Sequence, residues 1–223
     1  KDMRKQLTQW TLRVLTAAAL TCLTQAADDV LNYRGQPKGS KVTIDGTSTI
    51  HDWTVTGVVI GGSFKVEPAF EGDKSLKSVP SLTTKEKNPT VEIMIPVRSL
   101  KSGKQKMDEI MQEAMNEPEH RLIRYKLTEM VVKGDVPASG TPVKFDTKGD
   151  LSISGETQKI DMEVVMERMD DGKVKFKGEK KLKMTDFKIK PPAPSILGMS
   201  PIKTGDEVVI KFDWLTGMRK KTS

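Results

Sequence analysis

The stretch VKFDTKGDLSISGETQKIDMEVVM, residues Val143 to Met166, contains two segments of alternating apolar and polar residues around a small polar turn. In the first segment the apolar side chains share one parity with Thr147 and Gly149, and charged residues take the other. Because successive residues of a strand point to opposite faces, one face is dry and the other wet. Gly155 lies in the turn, and the alternation resumes from Ile160. The pattern predicts a long β-hairpin, which needs neighbouring strands to bury its apolar face.

Similar alternation recurs on both sides of this hairpin. It predicts strands within Lys41–Trp53, Val58–Val66, Thr90–Val97, Leu122–Val132, Val174–Phe187 and Glu207–Trp214. The glycine pair Gly61-Gly62 predicts a sharp bend or bulge in its strand. Residues Glu67–Pro89 are predicted to form a loop with at most one short strand. Seven to nine hairpin-connected strands favour a mainly β fold, a single closed antiparallel barrel, because closure removes exposed strand edges.

One segment, Ser99–Met115, changes to helical spacing and predicts a single amphipathic helix. Its apolar positions are Met107, Ile110, Met111, Ala114 and Met115, and its polar positions include Lys104, Lys106, Asp108, Glu109 and Gln112. Methionine packs adaptably, so the apolar stripe suits an ordinary core or a flexible apolar ligand.

Four prolines exclude regular structure from the segment KPPAPSILGMSP, residues Lys190 to Pro201. Its apolar tip contains Ile196, Leu197 and Met199. We expect this tip and the helix Lys104–Met115 to border an opening of the barrel. The alternative is that both merely plug a barrel filled by its own side chains.

The N-terminal segment has basic residues, then an apolar run from Val14 to Leu23, then Thr24-Gln25-Ala26. The order is typical of a secretory signal peptide, with cleavage expected after Ala26 and a mature domain over 27–223. A cut before Cys22, as in lipoproteins, is the alternative. Cleavage after Ala26 removes the only cysteine, and the loss of four basic residues and one acid lowers the net charge from +7 to +4. We therefore expect a periplasmic or secreted protein.

The sequence contains no residue pattern that is typical of an enzyme active site. The two histidines, His51 and His120, lie far apart and near no nucleophile motif or zinc-ligand spacing. No glycine-rich phosphate loop precedes a helix. Lysines alternate with acids along the strands, which is typical of a solvated exterior and not of a nucleic-acid surface. We expect no catalytic residues, no metal, no cofactor and no nucleic-acid partner.

Four segments together resemble the YceI-like family of secreted polyisoprenoid-binding proteins. They are GTSTIHDW at Gly46–Trp53, IPVRSLKSGKQKMDEIM at Ile95–Met111, EPEHRLIRYKLTEM at Glu117–Met130 and GDLSISGETQKIDMEV at Gly149–Val164. The resemblance spans about Ser40 to Trp214. It implies an eight-stranded, lipocalin-like antiparallel barrel whose interior receives a long isoprenoid chain.

Our first functional interpretation is a periplasmic carrier or sequestering protein for an isoprenoid lipid or quinone. The alternative is an envelope stress-response or protein-interaction module with a filled barrel. The sequence leaves the oligomeric state open, a homodimer included. We expect Trp53 to be largely buried. Strand and helix parity predicts a ligand site formed by Trp53, Phe64, Ile93, Ile95, Met107, Ile110, Met111, Phe145, Leu151, Met184, Ile196, Leu197, Phe212 and Trp214.

Overall fold

Ten strand segments make up about half of the residues that the computed structural model describes, which are 30–136, 138–195 and 201–218. The expected signal peptide, with Cys22, lies outside these residues. The strands are β1 (Leu31–Gly35), β2 (Lys41–Ser48), β3 (Trp53–Gly57), β4 (Gly61–Val66), β5 (Thr90–Pro96), β6 (Leu122–Val132), β7 (Val143–Ile153), β8 (Glu156–Arg168), β9 (Val174–Lys183) and β10 (Thr204–Met218).

The sheet closes on itself because β10 pairs with both β1 and β2. Residues Thr216–Met218 pair with β1, and residues Thr204–Asp213 pair with β2. In the same way β4 pairs with β1 and β3 pairs with β2. Thus β1 with β2, and β3 with β4, are two long strands that are each interrupted once. The ten segments form eight strands of a closed antiparallel barrel, which confirms the predicted fold class.

The central hairpin follows its sequence pattern closely. Its ladder runs without interruption from Val143 opposite Met166 to Ile153 opposite Glu156. Side chains in β7 alternate between buried and exposed along almost the whole strand. Ser154 and Gly155 form the two-residue turn with φ values of 51° and 84°. Positive φ at both positions is the geometry of a type I′ turn, which matches the twist of the flanking strands.

The interruption between β3 and β4 lies next to the predicted glycine bend. Gly62 has a φ of 136°, and a Cβ there would overlap the carbonyl oxygen of Glu92 in β5. Only glycine allows two backbones to come so close at this φ. Gly62 therefore permits the close approach of β4 to β5, whose ladder runs without a shift of register from Gly61 to Lys65.

The segment predicted as a loop with at most one short strand forms instead two one-turn helices, α1 (Ala69–Gly72) and α2 (Pro80–Thr83). The apolar residues Phe70, Leu76, Val79 and Leu82 of this segment are fully buried. They lie too irregularly in sequence to show a period, and the prediction was wrong for this reason. The segment covers one end of the barrel, which we call the closed end.

An aromatic cluster fills the barrel beside this cover. Phe64 packs against Tyr33, Phe70 and Phe176, with ring centroids 5.1 to 5.7 Å apart. Phe176 in turn packs against Trp214 at 5.6 Å. The closed end is therefore packed solid with large rings.

The opposite end, which we call the mouth, carries the third helix, α3 (Gln105–Ala114), and the β2–β3, β7–β8 and β9–β10 connections. A 3-10 turn at Val97–Ser99 leads towards α3. A second 3-10 turn, Met184–Phe187, ends β9 earlier than predicted. No helix within residues 30–136, 138–195 and 201–218 is both long enough and apolar enough to cross a membrane.

Candidate ligand-binding site

A cavity of about 480 Å³ lies at the mouth, between α3, the β2–β3 hairpin and the segment that follows β9. We call it the outer chamber. Its walls are mainly apolar side chains, and the strands contribute Ile44, Val55, Ile123, Ile153 and Ile210. Helix α3 provides the other wall through Met107, Ile110, Met111, Ala114 and the following Met115. The apolar stripe of the predicted helix thus faces the chamber.

Two lysines of the helix segment depart from the predicted polar face. Lys104 and Lys106 line the outer chamber at its rim. Long lysine side chains can cover apolar surface with their stems while the ammonium group stays in water. Helical parity alone did not indicate this placement, because it treats the whole side chain as polar.

Asp108, which was also predicted to face solvent, is buried at the start of α3. One of its oxygens accepts hydrogen bonds from the backbone N–H and the hydroxyl of Ser102, both at 2.7 Å. Burial opposes ionisation of Asp108, but the Ser102 hydrogen bonds and the nearby Lys101 outweigh it and lower its pKa. Backbone hydrogen bonds at 2.8 Å join Lys101 to Thr56 of β3. The start of α3 is therefore tied to the barrel wall.

The other end of α3 is held by a buried acid. The Glu117 carboxylate forms an ion pair with Arg98 Nε at 2.9 Å, and the backbone N–H of Glu117 donates to the carbonyl oxygen of Gln112 at 2.9 Å. Arg98 belongs to the 3-10 turn before the helix. Both ends of α3 are thus fixed to the segment that leads into it, which holds the apolar stripe over the chamber.

The proline-rich segment closes the other side of the mouth. The carbonyl oxygens of Pro192 and Pro194 accept backbone hydrogen bonds from Thr204 and Ile202, at 3.2 and 2.9 Å. Pro192, Pro194 and Ile202 line the outer chamber. The predicted site residues Ile196 and Leu197, in the tip of this segment, lie outside the described residues.

A second cavity, of about 80 Å³, lies deeper in the barrel, and we call it the inner chamber. Four residues line both chambers: Ile44, Ile123, Leu182 and Ile210. Among the predicted site residues, the outer chamber takes Trp53, Met107, Ile110, Met111 and Met184. The inner chamber takes Ile93, Ile95, Leu151 and Phe212.

Three of the predicted site residues line neither chamber. Phe64, Phe145 and Trp214 are at most 1% exposed and pack into the core, with Phe64 and Trp214 in the aromatic cluster of the closed end. Strand parity places a side chain inside a barrel but not at a particular depth, so it could not separate these residues from the chamber walls. Trp53, in contrast, is only partly buried, because it lies at the rim and not in the core.

Sequence reasoning missed several wall residues. Ile44, Ile123, Leu182 and Ile210 fit the strand alternation, and depth along the barrel was the missing information. Phe187, the last residue of the 3-10 turn, and Ile189 line the outer chamber on either side of Lys188, whose φ is 56°. Hydrophobic periodicity does not indicate a residue with a left-handed backbone, so neither Phe187 nor Ile189 could be predicted as a wall residue.

The barrel wall beside the inner chamber has an unusual seam. The β8–β9 ladder ends where Val164 faces Gly178, although both strands continue towards the mouth. Met162 and Lys180 line the inner chamber on the two sides of this seam. Lys180 Nζ lies 3.3 Å from the Asp161 carboxylate on the outside, and this hydrogen bond lowers the pKa of Asp161. The lysine stem thus closes a gap that backbone hydrogen bonds leave open.

Little in the chambers is suited to catalysis. Tyr125 lines the inner chamber, and burial raises its pKa to about 12, so it stays protonated. His51 lies at the rim with its Nδ1 2.8 Å from the carbonyl oxygen of Asp52. Within the described residues no three acids, histidines or cysteines gather into a candidate metal site. The arrangement is that of an apolar receptacle with basic residues at its rim.

Comparison with known proteins agrees with this architecture. The model of the YceI-like domain matches residues 33–214 of the chain. The chain belongs to the YceI-like family. The resemblance drawn from four sequence segments is therefore confirmed. No match was found among curated proteins.

Several solved structures share the fold of this YceI-like chain, including the following two. BcnA from Burkholderia cenocepacia is 17% identical, with a TM-score of 0.57, over 79% of this chain and 95% of that one. A polyisoprenoid-binding domain from Saccharophagus degradans, implicated in plant cell wall breakdown, is 12% identical. Its TM-score is 0.62, over 85% of this chain and 99% of that one. At these identities the likeness concerns the fold alone.

Proposed function

We propose that this YceI-like protein binds the apolar chain of an isoprenoid lipid or quinone in its two chambers, as a carrier or sequestering protein. The observation that carries the proposal is the outer chamber itself. Its 480 Å³ falls in the range of roughly 300 to 1,000 Å³ that is typical of small-molecule sites. It lies between the helix α3 and the proline-rich segment, at the end of the barrel opposite the packed aromatic cluster.

The binding mechanism is burial of apolar surface. Each Å² of apolar surface removed from water is worth about 25 cal/mol, so an isoprenoid chain needs no charged contact to bind. The methionines of α3 suit such a chain because their unbranched, polarisable side chains adapt to its irregular surface. The name of the Saccharophagus degradans domain supports the choice of an isoprenoid over other apolar ligands.

The first experiment asks whether a lipid accompanies the protein. Native mass spectrometry and solvent extraction of freshly purified protein should reveal a co-purifying isoprenoid lipid or quinone. The delipidated protein should then bind an added prenol with saturation. Absence of both would overturn the proposal and leave the filled-barrel interaction module as the better interpretation.

A matched pair of variants tests where the lipid binds. Met111→Asp places a charge on the helix face that lines the chamber and should weaken prenol binding at least about ten-fold, because a buried carboxylate loses its hydration. Gln112→Asp puts the same group on the neighbouring position, which does not line the chamber. It should bind as the wild type does. Equal affinities in two folded variants would remove α3 from the site.

We further propose that residues 1–26 are a signal peptide and that the mature domain, 27–223, works in the periplasm. The basic start and apolar run of the segment support this. Intact mass of the protein purified from the periplasm should correspond to a chain that starts at Ala27. A mass that retains Cys22 would contradict it.

A further inference from the structure

The two chambers meet at a band of four branched aliphatic side chains: Ile44, Ile123, Leu182 and Ile210. Ile44 and Ile210 face each other directly across the β2–β10 ladder. Leu182, on the next strand, faces Val208 of β10. Ile123 comes from β6, which is not a neighbour of these three strands in the sheet. The band therefore takes residues from separate parts of the barrel wall and marks the level at which the two chambers meet.

The inner chamber ends at two aromatic rings that rest on glycines. Phe212 lies over Gly178, with ring carbons 2.7 and 2.8 Å from the position a Cβ would take. Tyr125 lies over Gly149 at 2.5 Å in the same way. Along β10, inward positions succeed each other from Ile210 in the band to Phe212 and then to the buried Trp214. Beyond the two rings comes the solid packing of the closed end.

The inner chamber, of about 80 Å³, is a space between the band and the rings that the side chains of the barrel leave unfilled. Its walls are largely apolar, and apolar cavities of this kind stay dry and accept apolar guests. Lys180 and Met162, which line it, flank the part of the β8–β9 seam that no ladder holds together. Side chains alone close the wall there, so the chamber can widen without breaking backbone hydrogen bonds.

From these observations we infer that the inner chamber receives the end of the apolar chain and that Phe212 stops it. The band of Ile44, Ile123, Leu182 and Ile210 forms the passage from the outer to the inner chamber. This passage and Phe212 together set the length of isoprenoid chain that the protein prefers to bind. The inference rests on the proposed function, since it presupposes that an isoprenoid enters from the mouth. It adds the residues that decide which isoprenoids fit.

The test uses all-trans prenols of increasing length, titrated into delipidated protein. For the wild type, each additional isoprene unit should tighten binding about ten-fold or more while it is being buried. The gain should stop once the chain end reaches Phe212, which gives a break in the plot of affinity against length. Ile210→Phe fills the passage and should move the break to a shorter prenol. Phe212→Ala should move it to a longer one.

Lys211→Ala is the control, because Lys211 lies between these positions on the outward face of β10 and bonds to Asp45 at 3.1 Å. Its break should coincide with that of the wild type. If Phe212→Ala does not fold, the Ile210→Phe variant alone tests the inference. It adds a larger side chain and leaves no cavity, so we expect it to fold. A break that stays in place in folded Ile210→Phe protein overturns the inference and leaves the proposed function intact. Failure of every prenol to bind the wild type overturns both.

Discussion

Trp53 and Gly46 face each other directly across the β2–β3 ladder, and the indole ring covers the glycine so closely that a Cβ would overlap it. The indole N–H donates a hydrogen bond to the carbonyl oxygen of Thr47 at 3.0 Å. A glycine on one strand thus provides the platform for an aromatic ring on the next. The ring is held in one orientation at the rim of the outer chamber although it is partly exposed.

We predict that Gly46→Ala destabilises the protein by about 1 to 3 kcal/mol, because the new methyl group displaces the indole ring and breaks its hydrogen bond. Gly72→Ala is a suitable control, since nothing lies within 4 Å of its added Cβ. Chemical denaturation of both variants measures the difference. Equal stabilities would show that the ring moves aside without cost.

The two tryptophans of the barrel should respond differently to truncation. Trp214 is 1% exposed in the core, and Trp214→Ala should cost about 3 to 5 kcal/mol. Trp53 lies at the rim, so Trp53→Ala should cost less, about 1 to 2 kcal/mol, and should weaken prenol binding. Denaturation with and without prenol separates the two effects. A larger loss of stability at Trp53 than at Trp214 would contradict the assignment of core and rim.

Arg168 should hold the cover of the closed end in place. Its Nη2 donates to the carbonyl oxygens of Phe70 and Asp73, at 2.5 and 3.3 Å, and its guanidinium lies 3.9 Å from the centre of the Phe70 ring. Arg168→Met removes the donor from the partly buried carbonyl groups of Phe70 and Asp73, and we predict a loss of about 2 to 3 kcal/mol. Arg124→Met, at an exposed position of β6, should change little. Comparable losses in the two variants would argue against a specific role of Arg168.

The same cover should give the protein a sensitivity to acid. Hydrogen bonds from Ser75, and then from Ser78, hold the pKa of Asp73 well below its ordinary value of 3.8. A lowered pKa in the folded state stabilises the protein above the unfolded pKa, and this stability is lost as the pH falls through the folded pKa. We therefore predict that stability declines below about pH 4 and that Asp73→Asn declines less steeply. Denaturation curves between about pH 2 and 6 provide the measurement. Parallel curves for the two proteins would contradict it.

Sequence patterns predicted which side of each strand or helix is buried, but not how deep in the barrel a side chain lies. Alternation identified the hairpin around Gly155, and helical spacing identified α3, because both patterns record which side of an element meets water. Depth inside a barrel leaves no such record, so Phe145 and Leu151, both inward on β7, looked equivalent in the sequence. Asp108 falls on the polar face of the helix, and helical spacing could not show that Ser102, which precedes α3, buries it through hydrogen bonds.

The last prediction concerns the seam between β8 and β9. The ladder holds 164–168 against 174–178, whereas residues 156–163 of β8 pair only with β7. Amides of β8 that point towards β9 therefore have a ladder partner near the closed end and none of that kind near the mouth. Amide hydrogen exchange depends on such bonds, since a protected amide exchanges only when its bond opens.

We expect the amides within 156–163 that point towards β9 to exchange much faster than those within 164–168 that point the same way, although both belong to one continuous strand. The amides of 156–163 that point towards β7 are the internal control and should be well protected. Residue-resolved exchange measured by NMR distinguishes the three groups. Bound prenol should slow exchange at the seam, because a chain in the inner chamber packs against Met162 and the stem of Lys180. Uniform protection along β8 in the free protein would show that backbone hydrogen bonds join β8 to β9 along the whole seam. The inner chamber could then not widen there without breaking them.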